Sequence, residues 1–242
     1  MQHIFTLVLP RLLLLTLFCA LGTAYGASNS TKMTFNRPMD TAQARFVIEL
    51  MTRAYSQLGY ELELIDFDHP KALAAADKGE LDGQLGRIAN IETRYENLVR
   101  VDFPLFKFEL FMLTGCHYCS LQELARVAIR NGYPVTEQYL HQNNFSGQII
   151  KLESVAAQLN LLAQSQVEAV VLLDFHLKQG YLNRAEQPFI RHHLQNYYSY
   201  HYLHKRHEDK IPKLLAILQE LETSGVVAQL RKKHGLKSGF AL

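Results

Sequence analysis

The sequence has no marked excess of either charge: 25 Lys and Arg stand against 23 Asp and Glu, a net +2 over 242 residues with the histidines neutral. That near-balance argues against a dedicated nucleic-acid binder or a polybasic membrane protein. It has only 3 cysteines, which excludes a disulfide-dense small scaffold. Beyond the first 26 residues no run approaches the length of about eighteen apolar residues that a bilayer span needs. The catalytic strings G-x-S-x-G and H-E-x-x-H and the P-loop are missing, and the carboxylates are no better organised than chance. There is no internal repeat and no low-complexity segment. What is present is globular: 48% hydrophobic and 20% charged residues disfavour disorder, and the length predicts one or two domains with a sizeable core.

Residues 1–26 read as a secretory signal. Arg11 and the amino terminus supply the positive end, and Leu12 to Leu21 is the apolar stretch. Ala24 and Gly26 put small residues three before and one before the cut, the pattern that signal peptidase needs. The stretch is short for a bilayer span, and Pro10 with Arg11 interrupts it. Phe18 is bulky where a lipoprotein signal at Cys19 wants a small residue. The expected location is the periplasm, with no membrane insertion after signal removal. The mature chain then keeps only Cys116 and Cys119, in an oxidising compartment.

Periodicity predicts strands alternating with helices. Lys32–Phe35 is a strand; Asp40 or Thr41 caps a helix to Leu58 whose Ala44, Val47, Met51, Ala54 and Leu58 share a face, and Gly59 stops it. Strands are expected at Glu61–Phe67, Asp82–Gly86, Leu98–Thr114, Arg126–Arg130, Gln148–Leu152, Val167–Leu173, Phe189–Leu194 and Tyr197–His204. Helices are expected at Pro70–Lys78, Pro134–His141, after Ser154, at Phe175–Tyr181, Ile211–Ser224 and Val226–His234, with a short one opened by the capping box Ser120-Leu121-Gln122-Glu123. The alternation predicts an α/β protein.

Several strings in this order resemble the bacterial extracellular solute-binding proteins of family 3, the periplasmic amino-acid type. They are Gly79-Glu80-Leu81-Asp82-Gly83, Gly86-Arg87-Ile88, Glu92-Thr93-Arg94, Asn97 to Val101 with Phe103-Pro104, Ser120 to Ala125 before a strand and Gly132, and Val167-Glu168-Ala169-Val170-Val171. The resemblance spans most of the mature chain. It implies a two-lobed periplasmic-binding-protein fold of type II, each lobe a mainly parallel sheet flanked by helices, with two crossing strands as hinge. Lobe one would be 27–111 plus 200–242 and lobe two 112–199, with the ligand between them.

The resemblance also nominates residues. Arg94 falls on the family's E-x-R arginine, which grips a ligand carboxylate with parallel hydrogen bonds; the alternative is a surface arginine paired with Glu92 or Glu96. Arg87 sits in a cleft loop where amino-acid binders carry small polar residues, so it either adds a cation for an anionic ligand, fills the pocket or forms a structural salt bridge. Gly132 and Tyr133 lie in the turn that offers backbone N–H groups to the ligand, although Pro134 removes one. Asp174 is displaced by one residue from the family's ammonium-binding aspartate, and a helix-capping role is its alternative. The first cleft loop, which carries Arg37, is short and lacks the usual stacking aromatic, so the ligand need not be an α-amino acid.

Cys116-His117-Tyr118-Cys119 reads as a local disulfide, with redox chemistry or metal binding as alternatives. His192, His193, His201, His204 and His207 look like a metal cluster, but residues on one strand diverge to opposite faces, and surface or strand-edge positions are the expectation. No metal or cofactor is expected. The sequence therefore predicts a monomeric, non-enzymatic periplasmic protein that captures a small polar or anionic ligand for an inner-membrane transporter or sensor. The alternatives are a binding-fold protein acting through a protein partner and a cyclohexadienyl-dehydratase-like lyase using Asp174.

Overall fold

The computed structural model describes residues 31–177 and 189–236; the predicted signal at 1–26 lies outside them. In chain order the elements are β1 (Thr31–Asn36), α1 (Ala42–Leu58), β2 (Tyr60–Ile65), α2 (His69–Asp77), β3 (Gly83–Ile88), β4 (Leu98–Thr114), β5 (Arg126–Arg130), α3 (Pro134–Gln142), β6 (Gln148–Leu152), α4 (Val155–Ala163), β7 (Ala169–Leu173), β8 (Ile190–His204), α5 (Ile211–Thr223) and α6 (Val226–Lys233). The strands form one eight-stranded sheet in the order β2-β1-β3-β8-β4-β7-β5-β6. The outer strands are parallel at both ends, β1 with β2 and β3, β5 with β6 and β7. Between them the long β4 and β8 run antiparallel and belong to both ends.

Local chemistry explains the boundaries. Thr41 caps α1, its hydroxyl accepting from the Ala44 N–H at 3.0 Å. Gly59 ends that helix at φ +89, a left-handed conformation that only glycine adopts without strain. The α1 residues Phe46, Leu50, Met51 and Ala54 are buried against Met33 and Phe35 of β1 and Leu214 and Leu218 of α5. On β4 the side chains alternate. Leu110 and Met112 join a core with Val127, Ile129, Tyr139 and Leu140, whereas Phe111 and Leu113 join another with Ala128, Leu159 and Val170. A fourth cluster gathers Ala72, Ala76, Leu81, Leu98 and Tyr202. Fully burying each of these large side chains stabilises the fold by roughly 1.5–3 kcal/mol.

The two ends meet at a break in the ladder. The β4–β8 register shifts between Val101 and Phe106, and Phe106 packs against the cores on both sides of it. Gly83 lets β3 run close to β8, since a Cβ there would meet the Tyr202 carbonyl oxygen at 2.0 Å.

Three expectations change. The strands predicted at Phe189–Leu194 and Tyr197–His204 are one strand, because the exposed Gln195 and Asn196 pair with Leu110 and Glu109 of β4 and the ladder resumes, after a shift that skips Leu194, at His193 opposite Phe111. The short helix after Ser120 is a single 3-10 turn, with both capping-box bonds formed. The helix predicted at Phe175–Tyr181 begins as a 3-10 turn, Asp174–His176, and its later residues lie outside those described.

Candidate functional site

The residues singled out in the sequence lie at or shortly after the carboxyl ends of β1, β3, β5 and β7. That is where a parallel strand hands its chain to a loop, and where α/β sheets gather binding groups.

At the end of β3, Arg87 lies opposite Tyr200 of β8. Its Nε is sealed from solvent with no hydrogen-bond partner, and its Nη1 reaches only the Gly86 carbonyl at 3.4 Å. Burial lowers its pKa. No ion pair forms on it among the described residues, so the structural salt bridge that the sequence allowed is not there. Arg94 follows the 3-10 turn Ile91–Thr93 and is exposed, its guanidinium 5.6 Å from the Tyr95 ring centre. It pairs with neither Glu92 nor Glu96: Glu92 instead accepts from the Tyr202 hydroxyl at 2.9 Å and faces Arg100 at 3.8 Å. Arg37 is engaged, its Nε 2.7 Å from Asp66 and its Nη2 donating to the Leu64 carbonyl.

At the end of β5, Gly132 has φ +80, and its N–H donates to the Asn131 side chain at 3.0 Å. Tyr133 precedes α3 and is half-buried, with the Arg130 guanidinium 5.1 Å from its ring centre. Burial raises the Tyr133 pKa, and the nearby Arg130 charge opposes it. A depression of about 190 Å³ lies here, lined by Arg130 to Pro134 with Glu137 and Lys151. That is below the roughly 300–1,000 Å³ of an ordinary small-molecule pocket.

At the end of β7, the Asp174 carboxylate accepts the Phe175 N–H at 2.8 Å. Burial raises its pKa, opposed by backbone hydrogen bonds from Glu109 and Phe175. His176 was not anticipated. It is buried, both its ring nitrogens lack a hydrogen-bond partner, and its ring stands edge-on to Tyr133 at 4.2 Å. Burial pushes its pKa down to about 3, helped by the Arg130 charge, so it is neutral at physiological pH. Its sequence signal, a histidine two residues past Asp174, was hidden inside a predicted helix. Arg130 was equally legible, being two residues before Gly132.

The five histidines read as a cluster are held apart. His201 lies in the core with Nε2 2.7 Å from the Tyr55 hydroxyl. His207 binds Asp82, His204 accepts from the Arg206 N–H, His193 faces Glu109 and His192 donates to the Cys116 carbonyl. Among the described residues no three metal-ligating side chains converge. Cys116 and Cys119 form a disulfide in the loop after β4, next to the exposed Tyr118. No helix among the described residues is long and apolar enough to cross a membrane.

No protein-family model matches the chain. An uncharacterized protein of Shewanella oneidensis is 23% identical over 203 residues, covering 79% of this chain and 75% of that one. Among solved structures, the ligand-binding core of GluR0 in complex with L-glutamate superposes with a TM-score of 0.63 at 16% identity, covering 86% of this chain and 99% of that one. An amino acid ABC transporter substrate-binding protein from Streptococcus pneumoniae, bound to L-arginine, superposes with a TM-score of 0.62 at 17% identity, covering 84% and 94%. The fold is therefore that of the amino-acid-type periplasmic solute-binding proteins.

Proposed function

We propose that this protein, built on the solute-binding fold, is exported by its 1–26 signal and captures a small polar or anionic ligand without transforming it. Residues 27–111 with 200–242 and residues 112–199 act as two lobes that close on the ligand and present it to a membrane transporter or sensor. A fold alone does not assign a function. The observation that supports this reading is the set of cations that no carboxylate among the described residues pairs with: Arg87 at the end of β3, Arg94 after it, and Arg130 at the end of β5 beside the start of α3. An anion there gains charge-assisted hydrogen bonds, each contributing about 1.5–3 kcal/mol. It drives closure to the extent that it binds the closed form better than the open one.

A thermal-shift screen of the exported protein against amino acids and organic acids is the first test, since a ligand of the native state raises the melting temperature. With a ligand in hand, Arg94→Ala weakens binding by about 10- to 100-fold, and Arg94→Lys recovers only part because the bidentate grip is lost. Unchanged affinity in Arg94→Ala counts against its ligand role.

A second reading has its own support. Arg37 is committed to Asp66, the Gly132 N–H to Asn131, and the depression beside them is small. A filled cleft of this kind suits a protein that acts through a protein partner. A screen with no small-molecule shift, together with saturable binding of the exported protein to a purified inner-membrane sensor domain, favours it.

A further inference from the structure

We propose that Cys116 and Cys119 form a reversible thiol–disulfide site, reduced by a dithiol protein that docks on the exposed Tyr118 between them, and are not a permanent structural staple. The site goes beyond ligand capture and lies away from it. Thr114, just before the bridge, pairs with Ala169, the first residue of β7, whereas Asp174 follows the last residue of that strand.

The first observation is how little of the fold depends on the bridge. It joins residues three apart. The entropy that a cross-link removes from the unfolded chain grows with the loop that it closes, so a bridge this short adds little stability. Both feet of the loop are held without it. Thr114 is paired to β7 and β8. On the other side the Ser120 N–H donates to the Glu123 carboxylate at 3.1 Å, and Leu121 is buried in the core. The fold therefore survives opening of the bridge, as a reversible site requires.

The second is access. Gly115, His117, Tyr118 and Ser120 are exposed, and both cysteines are partly so. Tyr118 is 96% exposed. A flat, largely apolar side chain held between the two sulfurs offers contact area to a protein that approaches them.

The third is the chemistry around Cys116. His117 follows it, and His192 Nε2 lies 3.1 Å from its carbonyl oxygen. Imidazoles beside a cysteine favour the thiolate that exchange needs. Cys119 packs on the apolar cluster that holds Leu121 and Leu124, which leaves Cys116 as the sulfur for attack. A thiolate of the reductant attacks Cys116 Sγ and forms a mixed disulfide. The Cys116–Cys119 bond breaks, and its electron pair leaves on Cys119 Sγ, which takes a proton. The second thiol of the reductant loses its proton and attacks the mixed disulfide at the reductant's own sulfur, and Cys116 leaves and is protonated. Two electrons and two protons pass to this chain, and the reductant becomes a disulfide.

The test incubates the native exported protein with purified reduced thioredoxin as the dithiol probe and quenches with a maleimide mass tag. Two tags are expected on the native protein, and the reduced protein is expected to keep a cooperative thermal transition. A thioredoxin whose second active-site cysteine is serine is expected to be trapped as a mixed disulfide on Cys116, located by peptide mass. Tyr118→Ala is expected to slow reduction by thioredoxin by about fivefold or more and to leave reduction by dithiothreitol unchanged. A bridge that takes tags only after denaturation, or a reduced protein that loses its cooperative transition, makes the disulfide structural and overturns the proposal. Trapping on Cys119 overturns the assignment of the attacked sulfur, and an unchanged rate in Tyr118→Ala overturns the docking role.

Discussion

At the β1–β3 end of the sheet, a buried carboxylate and a buried tyrosine find partners far along the chain; at the β5–β7 end, the two ring nitrogens of His176 and the Gln158 Oε1 find none among the described residues. The Asp82 carboxylate accepts from the Thr34 N–H at 2.6 Å, the Thr34 hydroxyl at 2.9 Å, Arg206 and His207, joining β1 and β3 to the segment that leads into α5. Tyr55 and His201, 146 residues apart, share a second buried contact. The other end has no comparable charged centre among its described residues and is held by aliphatic and aromatic packing. Matched groups stitch distant segments of the first end together, whereas the Arg87 Nε and both ring nitrogens of His176, which have no partner among the described residues, lie at the strand ends proposed to meet a ligand.

The largest effect expected is at Asp82. Asp82→Ala removes the common acceptor of four donors and leaves Arg206 without its counter-charge, costing about 3–5 kcal/mol by urea unfolding at neutral pH. Burial raises the Asp82 pKa, but the bonds from Thr34, Arg206 and His207 outweigh it and hold the pKa at about 2, against 3.8 for a free aspartate. A depressed carboxylate contributes stability that is complete above the unfolded pKa and is lost as the pH falls through the folded one. Wild type therefore loses this contribution between about pH 4 and pH 2, and the gap to Asp82→Ala narrows over that window. A gap that stays constant with pH separates Asp82 from the acid response.

Leu110→Ala, in the apolar core of the other end, is expected to cost about 2–5 kcal/mol, with no dependence of the difference on pH, because no charge is involved. A pH-dependent difference here erases the contrast between the ends. The smallest effect is at the start of α4, where the Ser154 hydroxyl accepts the Ala157 N–H at 3.1 Å. Ser154→Ala costs about 1 kcal/mol in the same measurement, and a neutral result means that packing alone holds the helix start.

Elements with strong local punctuation were legible in the sequence. The Leu98–Thr114 and Gln148–Leu152 strands have the bounds that their alternation predicted, and α1 starts and stops at its cap residues. Strand β8 was read as two strands, Phe189–Leu194 and Tyr197–His204, yet the polar Gln195 and Asn196 between them are exposed positions paired to β4, far away in sequence. The site was legible in part. The turn at Gly132 and Tyr133 carries local signals, but nothing near Arg87 in the chain says whether a carboxylate will meet it. Nothing near His176 says that both its nitrogens will be enclosed.

Composition and periodicity determined the α/β class, the alternation of elements and the caps, because these depend on residues within one or two turns of each other. The tertiary structure alone decided which charges are matched. Asp82 is matched by residues about 48 and 125 positions away, and Arg87 meets no carboxylate among the described residues. The cost of a buried charge depends on what replaces water around it, and those replacements come together only when the sheet assembles.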